Sequence, residues 1–209
     1  MADMHSHVQQ LLQKTQSTFT LEDKLIARAL THKSAIKKGR FNNNDNDDEP
    51  TITNTTDKAD NDVGHNEKLA FVGRRVLRLH LATYLSKVLQ HDSYALATYL
   101  SDASLARLLD TRELGANVGR VWQLEKVLKW REVRGPNGEM TGLYKSRGTA
   151  VEALVGLVFS QQGIEASSRL FDQLVLPNLS FTSGFKRALE SSGSVIETPG
   201  SQQPDQALA

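Results

Sequence analysis

The chain has 209 residues, 39% of them apolar, with a formal net charge of +1 and no cysteine. That length suits one core of ordinary size with tails and is too short for two large domains. Disulfides and cysteine-ligated zinc or iron–sulfur sites are excluded; no run approaches the roughly 20 apolar residues of a membrane-spanning helix, so a soluble protein without a membrane partner is expected.

The net charge conceals segregation. Residues 42–63 carry seven acids (Asp45, Asp47, Asp48, Glu49, Asp57, Asp60, Asp62) against Lys58, a net −6 that leaves +7 on the rest. A mildly basic body with an acidic loop is compatible with a phosphate-bearing partner, and equally with an ordinary solvated surface. The start, Met1 to His5, shows neither a secretory core nor an Arg-rich transit pattern. Either no cleaved address is needed or the numbering begins after one.

Helical periodicity dominates in chain order, and no segment alternates long enough to insist on strands. Val8 to Gln16 is a short amphipathic stretch. Thr20 is placed to cap a helix through Leu21, Leu25, Ile26 and Leu30, with Asp23 completing a weak capping box, and that helix ends near Thr31–Ser34. From about Lys37 to Gly64 the Asn, Asp and Thr composition is too polar to offset its ordering entropy, which predicts a disordered insert within the domain. Asn66 is the expected cap of the main helix, about Glu67 to Leu89. Leu69, Val72, Val76, Leu79 and Thr83 form one stripe, with Leu77, Leu81, Tyr84, Leu85 and Val88 on other faces, as in a central buried helix.

Ser93 and Ser101 open two short helices, the second carrying Leu105, Leu108 and Leu109 and ending before Gly115. Val118 to Trp130 reads as helical, with Trp122 and Trp130 as packing residues. Arg134-Gly135-Pro136-Asn137-Gly138 is a turn. Ser146 is the expected cap of a helix through Val151, Leu154, Val155 and Val158 that stops at Gly163. A last helix, Ile164 to Leu176, is closed by Pro177, and beyond about Lys186 the composition predicts a disordered tail. The organisation expected is an N-terminal extension over 1–19, one all-α domain over 20–180 with the insert at about 38–64, and a flexible tail over 181–209.

Three segments carry a resemblance: Ala29-Leu30-Thr31-His32-Lys33-Ser34, then Asn66-Glu67-Lys68-Leu69-Ala70-Phe71-Val72-Gly73-Arg74-Arg75-Val76-Leu77, then Thr149-Ala150-Val151-Glu152-Ala153-Leu154-Val155-Gly156. In order and helix context they resemble the ribonuclease III family: its Leu-Thr-His-x-Ser element, its signature Glu-Arg-Leu-Glu-Phe-Leu-Gly-Asp, and its second acidic motif, Asp-x-x-Glu-Ala. The resemblance covers roughly Leu21 to Leu179 and implies a ribonuclease III endonuclease-like helical domain.

Two-magnesium phosphodiester cleavage, which the resemblance implies for an active member, needs several converging carboxylates, because hard cations take oxygen ligands. At about 100° per residue, positions 67, 70, 74 and 78 fall at about 0°, 300°, 340° and 20°, on one helix face. The matching positions here are Glu67, Ala70, Arg74, Thr149 and Glu152. Three of the five acids are replaced, one of them by a cation. A non-catalytic chain with no metal or other cofactor is therefore expected, with Arg74 pairing with Glu67 or Glu152 in place of the metal. The alternative is a lower-order metal site on the two glutamates. Gly73 and Gly156 read as close helix packing.

Members of the family pair two-fold through the signature helix, so the resemblance implies a dimer, with itself or with a related sister chain, and the missing acids favour the sister chain. Missing acids, small size and no room for a double-stranded RNA-binding domain after Leu179 resemble the ribonuclease III-like proteins of the fungal mitochondrial large ribosomal subunit. The implied role is structural, in the mitochondrial matrix, binding ribosomal RNA, the sister protein and other ribosomal proteins. Two other readings stay open: an inactive subunit beside an active ribonuclease III-type enzyme, and an active nuclease with an altered site. Candidate RNA contacts are Arg74, Arg75, Arg78, Lys126, Lys129, Arg131, Arg134, Lys145 and Arg147, some of which can instead pair with Glu125 and Glu132.

Overall fold

Two long helices cross at glycines, and the remaining described elements pack around that crossing. In the computed structural model, residues 2–15, 21–36, 64–90, 97–138 and 140–180 are described. They form α1 (Ala2–Gln13), α2 (Asp23–Ala29), α3 (Glu67–Val88), α4 (Asp102–Leu108), α5 (Thr111–Glu113), α6 (Gly119–Val121) and α7 (Leu143–Leu170). Short 3-10 or π turns follow at Lys33–Ala35, Leu114–Val118, Leu124–Lys126, Phe171–Val175 and Leu176–Asn178. The expected insert and C-terminal tail, Ser93 and Thr20 lie outside the described residues. The fold is all-α apart from one small ribbon, in which β1 (Val133–Arg134) pairs antiparallel with β2 (Met140–Thr141).

The α3–α7 crossing follows from side-chain volume. A Cβ built on Gly73 would lie 1.7 Å from the Glu152 carbonyl oxygen, and one on Gly156 would lie 2.1 Å from that of Leu69. Backbones approach this closely only where neither helix carries a side chain. A second pair does the same farther along α7: a Cβ on Gly115 would meet the Tyr144 carbonyl at 1.6 Å, and one on Gly148 that of Thr111 at 1.7 Å. Around these crossings Leu77, Leu81, Leu85, Leu114, Val151, Leu157, Leu170 and Phe171 are fully buried. His80 on α3 shares a hydrogen bond with Ser167 Oγ on α7 at 2.9 Å, and burial lowers its pKa.

Several local expectations need correction. Helix α1 starts earlier than Val8, and its His7 ring bonds the Trp122 carbonyl at 2.8 Å. Glu22 holds the N-cap position of α2, without a side-chain cap bond. Asn66 does hold the N-cap position of α3, but its side-chain amide donates to Ala29 O at 3.3 Å and makes no side-chain cap bond. Helix α3 is not buried all round: Leu79 is 53% exposed, Thr83 is exposed, and the buried line instead runs through Ala70, Gly73, Leu77, His80 and Leu81. Leu69 and Val72 face outward enough to be only half-buried. Val118–Trp130 is not one helix. After α6 the chain turns at Gln123, in the left-handed region at φ 53°, and Lys129 then forms a parallel bridge with Thr31. Ser146 is buried inside α7, which begins four residues after Glu139 at Leu143 behind Gly142. The break at Gly163 occurs where expected, at φ 79°, although helix resumes directly after it. Pro177 lies in the closing 3-10 turn. Ser101 caps α4 as read from sequence, accepting from Ser104 N.

Gly73→Ala is expected to cost about 3 kcal/mol or more, because the new methyl meets backbone, which cannot rotate away. Thermal unfolding of the variant beside Gly138→Ala, whose site has nothing within 4 Å of a Cβ but a φ of 76°, separates overpacking from turn strain. A Gly73→Ala protein as stable as the parent sinks the crossing argument.

Candidate functional site

Of the five matching positions, Glu67, Ala70 and Arg74 lie on α3, and Thr149 and Glu152 lie on α7. Ala70 is fully buried at the crossing, and Glu152 is fully buried opposite it. Arg74 reaches across: its Nε lies 3.6 Å from Glu152 Oε2, with the Arg74 side chain 46% exposed. Of the two pairings open from sequence, the structure shows this one. Thr149 bonds its own helix, its hydroxyl donating to Lys145 O at 3.0 Å. Glu67 faces the other way and accepts a 2.5 Å hydrogen bond from Lys33 Nζ, with His65 Nδ1 3.7 Å from its second oxygen.

Glu152 is the electrostatic anomaly. Burial pushes its carboxyl up to about 7, against the opposing pull of the Thr111 hydrogen bond and of Arg74. Thr111 Oγ1 donates to Oε1 at 2.8 Å, whereas the buried Oε2 finds no hydrogen-bond partner among the described residues. At 3.6 Å and half in solvent, Arg74 offers attraction without a hydrogen bond, so desolvation wins. Asp110 adds to the upward shift and Arg78 opposes it. Glu67 behaves oppositely: the Lys33 hydrogen bond holds it below the ordinary carboxylate range. Burial and then the Lys33 charge lower His32, whose Nδ1 lies 2.8 Å from Ser34 Oγ.

This donor set does not fit a divalent-metal pair. Ala70 and Thr149 supply no carboxylate, Arg74 points a permanent charge at Glu152, and Glu67 is engaged by Lys33. Among the described residues no three His, Asp or Glu side chains are grouped to hold a metal. Sequence reasoning gave no role to Lys33, Asp110 or Thr111. Asp110-Thr111 had a readable signal, since Asp110 caps α5 by accepting from Arg112 N at 2.7 Å.

The nine cations proposed from sequence divide. Arg78, Lys129, Arg131 and Lys145 are exposed. Arg75 lies over the Phe71 ring at 3.4 Å and donates to Phe71 O. Lys126 donates to Gln123, and Arg134 pairs with Glu132 at 2.9 Å on the surface. Arg147, 14% exposed, pairs with Glu125 at 3.0 Å. Lys129 and Arg131 are fixed to the Glu67 neighbourhood through the backbone: His32 N donates to Lys129 O, and Arg131 N to Ser34 Oγ.

Because the folded carboxyl of Glu152 holds its proton more tightly than a free one, it stabilises the fold fully below about pH 4.5. That contribution is lost as pH rises to about 7, an effect of roughly 3 kcal/mol. Glu152→Gln should therefore gain stability relative to the parent across that window. Denaturant titrations at several pH values check it, and parallel curves for the two proteins would refute it.

The comparisons with known proteins fit this geometry. A family model described as Ribonuclease-III-like matches residues 22–179. A curated relative, Ribonuclease 3 of Magnetococcus marinus, is 29% identical over 173 residues, 81% of this chain, which spans 60% of that relative's length. The nuclease domain of ribonuclease III from Campylobacter jejuni has a similar fold, with a TM-score of 0.55 at 21% identity over 83% of this chain and 96% of that one. A second structure of that nuclease domain gives a TM-score of 0.54 at 23% identity, covering 80% of this chain and 95% of its own. With its helices α2 to α7 inside the matched span and its signature segments at the α3–α7 crossing, this chain belongs to the ribonuclease-III-like family.

Proposed function

We propose that this chain is a non-catalytic RNA-binding protein of ribonuclease III fold, acting as a structural component of the mitochondrial large ribosomal subunit beside a related chain. The observation that carries the non-catalytic part is Arg74 against a buried Glu152, with Ala70 and Thr149 where further carboxylates are needed. The residues that meet there supply fewer oxygen ligands than paired divalent ions require, which supports this reading. Its relative is named Ribonuclease 3, which favours as second reading an inactive subunit beside an active enzyme of that type.

Binding rather than cutting suits the surface. Lys129, Arg131 and Lys145 are exposed cations with no described acidic partner, and phosphate contacts of this sort give affinity without reading sequence. Phe71, 53% exposed beneath Arg75, and Leu79, 53% exposed two turns on, give α3 an apolar outer face for the related chain. One Campylobacter jejuni structure is titled for a region involved in dimer formation, in keeping with a paired state. The ribosomal and mitochondrial assignment draws on the resemblance of a chain with replaced acids to such proteins.

Purified protein should leave duplex RNA intact in magnesium while retaining it in a binding assay. Native protein should comigrate with mitochondrial large ribosomal subunits on sedimentation; migration with a smaller nuclease complex favours the second reading, and magnesium-dependent cleavage overturns both. Lys129→Glu with Arg131→Glu should weaken duplex binding and lower its salt dependence by roughly one counterion per residue. Arg147→Met, which breaks the pair with Glu125, should alter stability and leave that slope unchanged.

A further inference from the structure

Two acids remain at the α3–α7 junction and its edge, and each is met by a cation of the chain itself. Lys33 reaches Glu67 from the turn after α2, and Arg74 reaches Glu152 from α3. The two pairs differ in consequence. Glu67 is partly open to water, which can screen and solvate it without help. Glu152 has no such recourse: it is fully buried, one oxygen is satisfied by Thr111, and the other has no hydrogen-bond partner among the described residues. The charges that face it are Arg74 and Arg78 from α3 and Asp110 from the start of α5.

We propose that Arg74 is an internal counter-ion, supplying from within the chain the positive charge that a bound divalent cation would otherwise bring to Glu152, so that the α3–α7 junction is held without metal. The inference rests on the non-catalytic reading and goes beyond it, because a chain can lose cleavage and still need an ion to stay folded. Guanidinium suits the task. It stays charged at every accessible pH, so it cannot vacate the site by losing a proton, and its Nε lies 3.6 Å from the Glu152 oxygen that has no hydrogen-bond partner among the described residues. Backbone contact between Gly73 and Glu152 fixes the geometry, since residue 74 follows directly on the helix that touches residue 152. A buried carboxylate that loses a close cation is strongly destabilising, whichever way the cation was supplied.

The full chain, with Arg74→Met, Arg74→Lys and Arg74→Asp variants, is unfolded thermally at about pH 8, where Glu152 is mostly ionised. Each is measured in EDTA, in magnesium and in manganese at matched ionic strength. The parent and Arg74→Lys should unfold at the same temperature in all three. Arg74→Met should fall by about 5 °C in all three. Arg74→Asp should fall in EDTA and recover saturably with manganese, as ligand linkage requires, because the introduced carboxylate faces Glu152. A saturable metal-induced rise in the parent that Glu152→Gln abolishes overturns the inference, as does an Arg74→Met protein as stable as the parent or an Arg74→Asp protein that metal leaves unchanged. If Arg74→Asp does not fold in EDTA, refolding it in manganese gives the same decision. Cleavage of duplex RNA by the parent would sink the non-catalytic reading, whereas metal uptake without cleavage sinks this inference alone.

Discussion

Direct contact between two helix backbones governs this structure. Gly73 and Gly156 let α3 and α7 approach until the atoms of one peptide chain touch those of the other, and Gly115 and Gly148 bring the α5 segment against α7 in the same way. Packing at that range leaves no slack, since protein interiors transmit small displacements rather than absorb them. The side chains next to the contact are therefore placed by it. Arg74 follows Gly73, Glu152 lies opposite, and Thr111 arrives from the second crossing to bond the same carboxyl.

The chemistry at that point is a contest between burial and charge. A carboxyl wholly removed from water, bonded at one oxygen and faced at a distance by a half-exposed guanidinium, is disposed to keep its proton up to about neutrality. Glu67, at the start of α3, meets Lys33 at the surface, and that hydrogen bond favours its ionised form. Two acids with the same side chain have thus been assigned opposite states by their surroundings. Among the described residues no three His, Asp or Glu side chains gather at one point, as a site for hard cations must.

Much of the fold could be read from the chain, and the failures have identifiable causes. The cap at Ser101 and the break at Gly163 are local features, written in capping chemistry and in a residue that tolerates positive φ, and the bounds of α3 follow from its apolar periodicity even though Asn66 makes no side-chain cap bond. The close packing of Gly73 and Gly156 was legible because the signature segments place them on helices. What failed depends on distant partners. Leu79 and Thr83 belong to a helical stripe by spacing, yet the glycine crossing turns α3 so that another line faces inward. The expected helix through Lys129 gives way to backbone bonds with Leu30 and His32, which no periodicity announces. At the candidate site the sequence left Arg74 two possible acids, and only the crossing chooses Glu152. Lys33 and Thr111 were invisible as partners, because each lies tens of residues from the carboxylate it meets.

The segment that ends at Ile36 and the one that begins at Gly64 are fastened to each other. Asn66 N donates to Thr31 O at 2.9 Å, Arg28 Nε to His65 O at 3.3 Å, and Lys33 to Glu67. The intervening stretch therefore begins and finishes at one anchored doorway. Closing a loop of doubled length costs only about 0.6 kcal/mol more. New sequence joined between two ends already held this close adds little beyond that closure entropy, which makes the doorway beside Glu67 a natural place for evolution, or an engineer, to splice.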